Sequence, residues 1–331
     1  MIRPHARGRE ENGGRMRIAV VGAGAVGGYF GGRLAQSGND VHFVARGRQL
    51  GALRRDGLRV DSPKGDFSLP EVRACATFSE IGAVDLVIVA VKAWQVPEVA
   101  GALTPLVGER TAILPLQNGV EADGQLAALH GARVLGGLAR IISMLAAPGH
   151  VRHLGAEPFV ALGELDDRRT KRVESIAEVL REAGIRVEIP PDIRVAIWEK
   201  FLFICSVSGV GAVTRAPIGT LRSRPETRAL LEEAMREIRA VGLARGVAIP
   251  PDAVERTLAF IDTLPPDGSA SMQRDIMEGR PSELESQNGA VVRLGRAVGV
   301  PTPLNRFLYH TLLPMEARAR GARGANGAPG E

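Results

Sequence analysis

Lys200 lies in the segment IWEKFLFICSVSGVGAVTRAPIG, flanked by Trp198, Phe201, Leu202 and Phe203. An ammonium emerging from such an apolar wall is suited to give a proton to a developing alkoxide. The same surroundings also suit a lysine that lays its stem over a core and keeps its charge in water. Lys200, Ile204 and Ser208 are four residues apart and share one helix face. A second stretch, MRIAVVGAGAVGGYFG at residues 16–31, sets Gly22, Gly24 and Gly27 in a G-x-G-x-x-G spacing directly after the apolar run 18–21. Between a strand and a helix, that spacing makes a dinucleotide cradle: one glycine for the turn, one for backbone approach to a pyrophosphate, one for close helix packing. The cradle comprises Gly22, Ala23, Gly24, Ala25, Val26 and Gly27, and the free N–H groups of the following helix face the phosphates.

Three more positions carry chemistry by their place at strand ends, outside which ligands bind in open α/β sheets. The second strand runs over 40–44 and is followed by Arg46 and Arg48, with no acid until Asp56. An arginine here can pair with a ribose 2'-phosphate, which favours NADP over NAD; it also reads as an ordinary solvated residue. Lys92 ends the apolar run 85–92, and Asn118 follows the run 111–114 within Gln117, Asn118 and Gly119. Each suits a cofactor contact or a solvated loop. Glu283 lies between Ser282 and Glu285, an S-x-x-E capping box after Pro281, which places it in the first turn of a helix over 282–298.

The elements that must position these residues follow from periodicity. Unbroken apolar runs alternating with helical stretches predict a doubly wound parallel sheet over 16–190. Segments 140–146, 149–155 and 158–164 are expected as an antiparallel end of that sheet. After Pro190 and Pro191 the pattern is helical, over 192–207, 225–245, 251–262, 282–298 and 303–318, so residues 191–318 should form an all-helical domain, with the site in the cleft between the two. Residues 1–15 and 319–331 are expected to be disordered tails, and Met16 reads as the natural start.

Composition narrows the class. The 331 residues are 45% hydrophobic and 24% charged, as in a globular protein with a sizeable core. Of the formal net charge of +5, residues 1–15 and 317–331 hold +2 each, so the basic balance is no signal for nucleic acid. Cys75 and Cys205 have no metal-like spacing and fit a reducing compartment. With no apolar leader and no span of bilayer length, the expected location is cytoplasmic, without membrane contact. His150 and His153 should point to opposite faces of a strand, so no metal site is expected.

GAGAVGGYFG, the arginine after the second strand, VKAWQ, LQNGV, the W-x-K of Trp198 to Lys200 and SASMQRDIMEGRPSELESQNG occur in this order across residues 16–316. Together they make the chain resemble the ketopantoate reductases (2-dehydropantoate 2-reductases). The resemblance implies a Rossmann-type domain followed by a helical domain, with NADPH (NADP) as cofactor. The implied reaction reduces a small 2-keto acid to the 2-hydroxy acid, as in ketopantoate to pantoate in pantothenate biosynthesis. By the same match Lys200 corresponds to the catalytic lysine, Lys92 and Asn118 to cofactor and substrate contacts, Ser271 to a substrate contact, and Glu283 to the acid completing the site. The family pattern has asparagines four and eight residues after the lysine and another in the next loop, where this chain has Ile204, Ser208 and Ile218. A pocket lined by Ile204 and Ser208 points to a keto acid more apolar than ketopantoate. Rival readings are an opine or glycerol-3-phosphate dehydrogenase type, or a nucleotide sensor without turnover. Beyond the keto acid, the expected partner is at most a second copy in a homodimer.

Overall fold

The computed structural model describes residues 15–155 and 157–325. Strands and helices alternate through the first part: β1 (Arg17–Val21), α1 (Ala25–Gln36), β2 (Asp40–Val44), α2 (Gly47–Asp56), β3 (Leu58–Asp61), β4 (Phe67–Leu69), β5 (Arg73–Cys75), β6 (Val84–Val89), α3 (Val96–Ala102), β7 (Val107–Pro115) and α4 (Ala122–His130). Then β8 (Leu135–Arg140), β9 (Ser143–Ala147), β10 (His150–His153) and β11 (Phe159–Glu164) lead through α5 (Lys171–Glu182) to β12 (Arg186–Glu188). The remainder is helical: α6 (Ile193–Thr214), α7 (Ile218–Ser223), α8 (Pro225–Ala244), α9 (Ala253–Thr263), α10 (Ser271–Met277), α11 (Asn288–Ala297) and α12 (Pro303–Ala325).

A parallel sheet in the order β5-β2-β1-β6-β7 carries the first part. Successive residues of β1 feed opposite cores: Ile18 and Val20 pack with Phe43, Leu86 and Ile88 on one face, and Ala19 and Val21 with Val87 and Val89 on the other. This is why the run reads as continuously apolar. Register aligns Val21 with Val44 and Val89, and Val89 with Pro115, so four strands stop flush and their loops open on one edge. The chain thus has a Rossmann-type sheet followed by a helical region.

The expected antiparallel end of this sheet is corrected. Strand β11 pairs with β8, and Val134, the residue before β8, makes an isolated bridge to Ile113 of the main sheet. Strands β9 and β10 instead join β3 and β4 in a separate sheet, β4-β3-β10-β9. The reason lies in α1, which carries glycine on two faces. Side chains added at Gly27 and Gly31 would strike Val20, Ala90 and Phe43 of the main sheet's side, whereas ones at Gly28 and Gly32 would strike Val151, Leu58 and Phe67 of the second sheet. The helix is packed between two sheets, and its small residues admit both.

In the helical region, Asp192 caps α6, its Oδ1 accepting from the backbone N–H groups of Arg194 at 2.7 Å and Val195 at 3.0 Å. Helix α6 runs through the Ser/Gly stretch to Thr214, because Ser206 donates back to the Leu202 carbonyl at 2.6 Å and the glycines admit neighbours: Asn288 packs on Gly209, and Gln273 on Gly211. By composition α6 is long and apolar enough to cross a membrane, yet its most apolar stretch is 67% buried within this protein. Helix α12 continues to Ala325, beyond the expected end at Arg318, since its Ala/Arg-rich turns are good helix formers despite Gly321. Residues 1–14 and 326–331 of the expected tails lie outside the described residues.

Two glycines of the first loop separate packing from ligand approach. A methyl at Gly27 would collide with the Gly22 carbonyl oxygen, but one at Gly24 meets nothing within 4 Å. Gly27→Ala should therefore lower the unfolding free energy by about 2 kcal/mol or more in urea titrations, whereas Gly24→Ala should cost no more than about 1 kcal/mol, the scale of a changed N-cap.

Candidate functional site

The flush strand ends bring the glycine turn, Arg46, Lys92 and Asn118 to one edge. Gly22 has φ +99, and a Cβ there would lie 2.7 Å from the Val91 nitrogen, so the turn presses against the chain leaving β6. Gly24 is the N-cap of α1, and no side chain caps the helix. An open N-terminus with clear space over Gly24 fits a pyrophosphate. Gln49 braces the turn, donating to the Ala23 carbonyl at 2.7 Å and accepting from the Gly149 N–H at 3.0 Å. Ala25 and Val26 open the helix itself. Arg46 leaves the end of β2 exposed, its guanidinium paired with Glu98.

Lys92 lies past β6 rather than at its end, at the cap of the 3-10 turn Ala93–Gln95. Its Nζ is 3.5 Å from Asp275 Oδ2 and 5.7 Å from the Trp94 ring centroid. Across the edge, Gln117 donates to the carbonyls of Val89 at 2.9 Å and Val91 at 3.0 Å, pinning the segment that carries Asn118.

Asn118 then joins two charges. Lys200 Nζ donates to Asn118 Oδ1 at 2.9 Å, and Asn118 Nδ2 donates to Glu283 Oε2 at 3.2 Å. Only one orientation of the amide satisfies both neighbours, because an ammonium has no acceptor and a carboxylate no donor. Glu283 Oε1 accepts from the Ala93 N–H at 3.3 Å, and the residue is 5% exposed. The lysine is half-buried at the cleft on α6. Burial pushes its pKa down to about 8, with the Glu283 charge opposing the shift and Arg140 adding to it. Such an ammonium gives up its proton far more readily than an ordinary lysine.

The capping reading of Glu283 is corrected. Helix α11 begins at Asn288, and Glu283 lies in the turn before it. Ser282 is engaged elsewhere: its N–H donates to Glu316 Oε1 and Oε2 at 3.1 and 3.0 Å, and its hydroxyl to Oε2 at 2.5 Å. Glu316, buried on α12, also pairs with Arg320 at 2.6 Å. Arg320 donates to the Ser282 carbonyl at 3.1 Å and places its guanidinium carbon 4.7 Å from the Trp94 ring centroid. Ser282, Trp94, Asp275, Glu316 and Arg320 were outside the sequence-derived set. The sequence signal for the last two was their spacing of four on an amphipathic helix, but Arg320 fell within a stretch assigned to a tail.

Not every expected contact meets the cleft. Ile204 is half-buried one turn after Lys200, and Ser271 half-buried at the start of α10. Ser208 is fully buried, its hydroxyl without a hydrogen-bond partner among the described residues. Ile218 is buried in the helical core, its N–H donating to the Gly268 carbonyl at 2.9 Å. Arg215 ends α6 exposed, in the left-handed region with φ +56. No cluster of three or more metal-ligating side chains occurs among the described residues; His150 and His153 bond Asp61 and Ser62 respectively.

Residues 18–167 match the family model "Ketopantoate reductase PanE/ApbA", and residues 192–316 match "Ketopantoate reductase PanE/ApbA C terminal". The 2-dehydropantoate 2-reductase of Mesorhizobium japonicum is 34% identical over 310 residues, covering 87% of this chain and 94% of its own. A crystal structure of 2-dehydropantoate 2-reductase from Geobacter metallireducens superposes with a TM-score of 0.83 at 38% identity, over 90% of this chain and 99% of that one. D-mandelate dehydrogenase, solved with NADH and anilino(oxo)acetate, shares the fold with a TM-score of 0.83 at 23% identity, over 92% of this chain and 99% of that one.

The Ser282 anchor generates a stability prediction. Glu316→Ala strands the buried N–H and hydroxyl of Ser282 without acceptors and should lower the unfolding free energy by about 2 to 4 kcal/mol. Ser282→Ala, which keeps the bonds from the Ser282 N–H to Glu316 but releases the Leu284 N–H that the hydroxyl accepts at 3.2 Å, should cost less, about 1 to 2 kcal/mol, in the same urea titration.

Proposed function

The chain belongs to the ketopantoate reductase family, and on that premise we propose that it reduces a 2-keto acid to the 2-hydroxy acid with NADPH. The observation that carries the reading is the Lys200–Asn118–Glu283 array beside the glycine turn, because a polarised proton donor and a dinucleotide cradle are the two things a carbonyl reduction requires of a protein. Residues 90–93 link them: one end of this segment packs on Gly22, and the other gives its Ala93 N–H to Glu283.

The chain's own residues would hold the cofactor at Gly22 to Gly27 for the pyrophosphate, at Arg46 for the 2'-phosphate, and along Lys92 and Asn118 toward the nicotinamide end. When bound, the reduced nicotinamide supplies a hydride to the carbonyl carbon. Lys200 donates a hydrogen bond from Nζ to the carbonyl oxygen, steadies the negative charge that grows there, and transfers the proton that completes the hydroxyl. Asn118 holds Nζ through its Oδ1, removing the freedom of a long side chain. Glu283 keeps the lysine protonated at neutral pH despite burial and fixes the amide that orients it. Solvent at the cleft returns the proton to Lys200 after release.

The names of the relatives point to ketopantoate (2-dehydropantoate) as the substrate, and the half-buried Ile204 beside Lys200 favours a close relative with a more apolar side chain. A distal hydroxyl meeting Ile204 would be desolvated without a partner, at about 1 to 3 kcal/mol. Ser208 contributes only if the cleft opens to it.

Lys200→Ala should lower turnover by about two orders of magnitude or more, with NADPH affinity nearly unchanged in fluorescence titrations. In the native enzyme the protonated lysine is the active form, so kcat/KM should hold at neutral pH and fall as pH rises through about 8, and this limb should be missing from the residual activity of Lys200→Ala. A flat profile between pH 7 and 9 would remove Lys200 from the proton-donor role. Among substrates, a 2-keto acid matched in size to ketopantoate but lacking the distal hydroxyl should show the higher kcat/KM, by about one order of magnitude. Ketopantoate preferred tenfold would return the reading to the pantothenate enzyme proper.

A further inference from the structure

Strands β2 and β6 lie on either side of β1 and parallel to it, so the segments that follow them flank the glycine turn. Arg46 leaves the end of β2, and Glu98 stands in the first turn of α3, the helix that follows β6. Their side chains meet across the turn: Arg46 Nη1 and Nη2 both donate to Glu98 Oε1 at 3.2 Å. The adenosine half of a dinucleotide leaves the turn toward the end of β2, and so passes this pair. A carboxylate in the first turn of a helix is favoured by the helix dipole, so Glu98 suits its place at the start of α3 with or without Arg46.

We propose that Glu98 is a specificity-determining residue that sets the balance between NADPH and NADH. The inference rests on Arg46 as the 2'-phosphate ligand. Side-chain exposures of 69% for Arg46 and 64% for Glu98 make the ion pair weak, about fivefold in an equilibrium at most, so a 2'-phosphate can displace it. Binding NADPH then breaks the pair and leaves two like charges, the phosphate and the Glu98 carboxylate, side by side. NADH presents a hydroxyl at the same place and meets neither penalty. Glu98 therefore holds back a selectivity that Arg46 alone would supply in full, and admits both cofactors.

The test compares kcat/KM for NADPH and NADH in the full chain, with Arg46→Ala and Glu98→Gln made separately and assayed at low and at high salt. Glu98→Gln should raise kcat/KM for NADPH about three- to tenfold and leave that for NADH within about twofold, and the gain should shrink as salt screens the charges. Arg46→Ala should lower the NADPH value selectively. If Arg46→Ala weakens both cofactors equally, the reading of Arg46 as the phosphate ligand fails, and this inference with it. If Arg46→Ala acts selectively while Glu98→Gln leaves the cofactor ratio at its native value, or changes both cofactors alike, the role given to Glu98 is overturned and the cofactor reading stands.

Discussion

A single amide stands between a half-buried ammonium and a buried carboxylate, and much of the site's behaviour follows from it. Had Lys200 and Glu283 been in direct contact, each would have used its charge on the other. With Asn118 between them the carboxylate is near enough to offset part of the burial penalty without pairing directly with Nζ. The arrangement needs both domains at once: Asn118 follows a strand of the sheet, whereas Lys200 and Glu283 belong to the helical region. An isolated sheet domain would lack Lys200 and Glu283, and an isolated helical domain would leave Glu283 without its Ala93 and Asn118 partners.

Glycine does related work in both halves of the chain. In α1 it brings two sheets onto one helix, and in α6 it lets Asn288 and Gln273 approach the helix that carries Lys200. In each case a long helix is held firmly by near neighbours, so the groups projecting from its end or its exposed face stay in register with the cleft. Close packing is what converts an ordinary helix into a positioning device.

The strands 17–21 and 40–44, the helix between them and the glycine turn were legible because their information is local: an apolar run, three glycines and a helical period within thirty residues. Lys200, Asn118 and Glu283 were visible only as candidates. Their contacts join residues 82 and 165 positions apart, which no local pattern encodes, and the family resemblance was needed to bring them together. Where a local rule competed with a distant partner, the distant partner won. The capping motif at Ser282 was a sound local reading, but a buried carboxylate on α12 accepts from both the N–H and the hydroxyl of Ser282 and holds the residue outside the helix. The same logic explains the misjudged C-terminal boundary: alanine, arginine and glycine together resemble a tail until Glu316 and Trp94 give Arg320 something to hold. The second sheet was missed for a related reason, since the two glycine faces of α1 show in the sequence only as a high glycine content.

The chain has two tryptophans, and the fold gives them unequal surroundings. Trp198 packs inside the helical core against Phe201. Trp94 rides on the sheet domain, with Lys92 on its own side and Arg320 reaching over from the last helix. Cations against an indole shift and quench its emission, so the light from Trp94 depends on how Lys92 and Arg320 stand against its ring. The contact between Arg320 of the last helix and the indole of the sheet can therefore be followed by its own fluorescence, without attaching a dye.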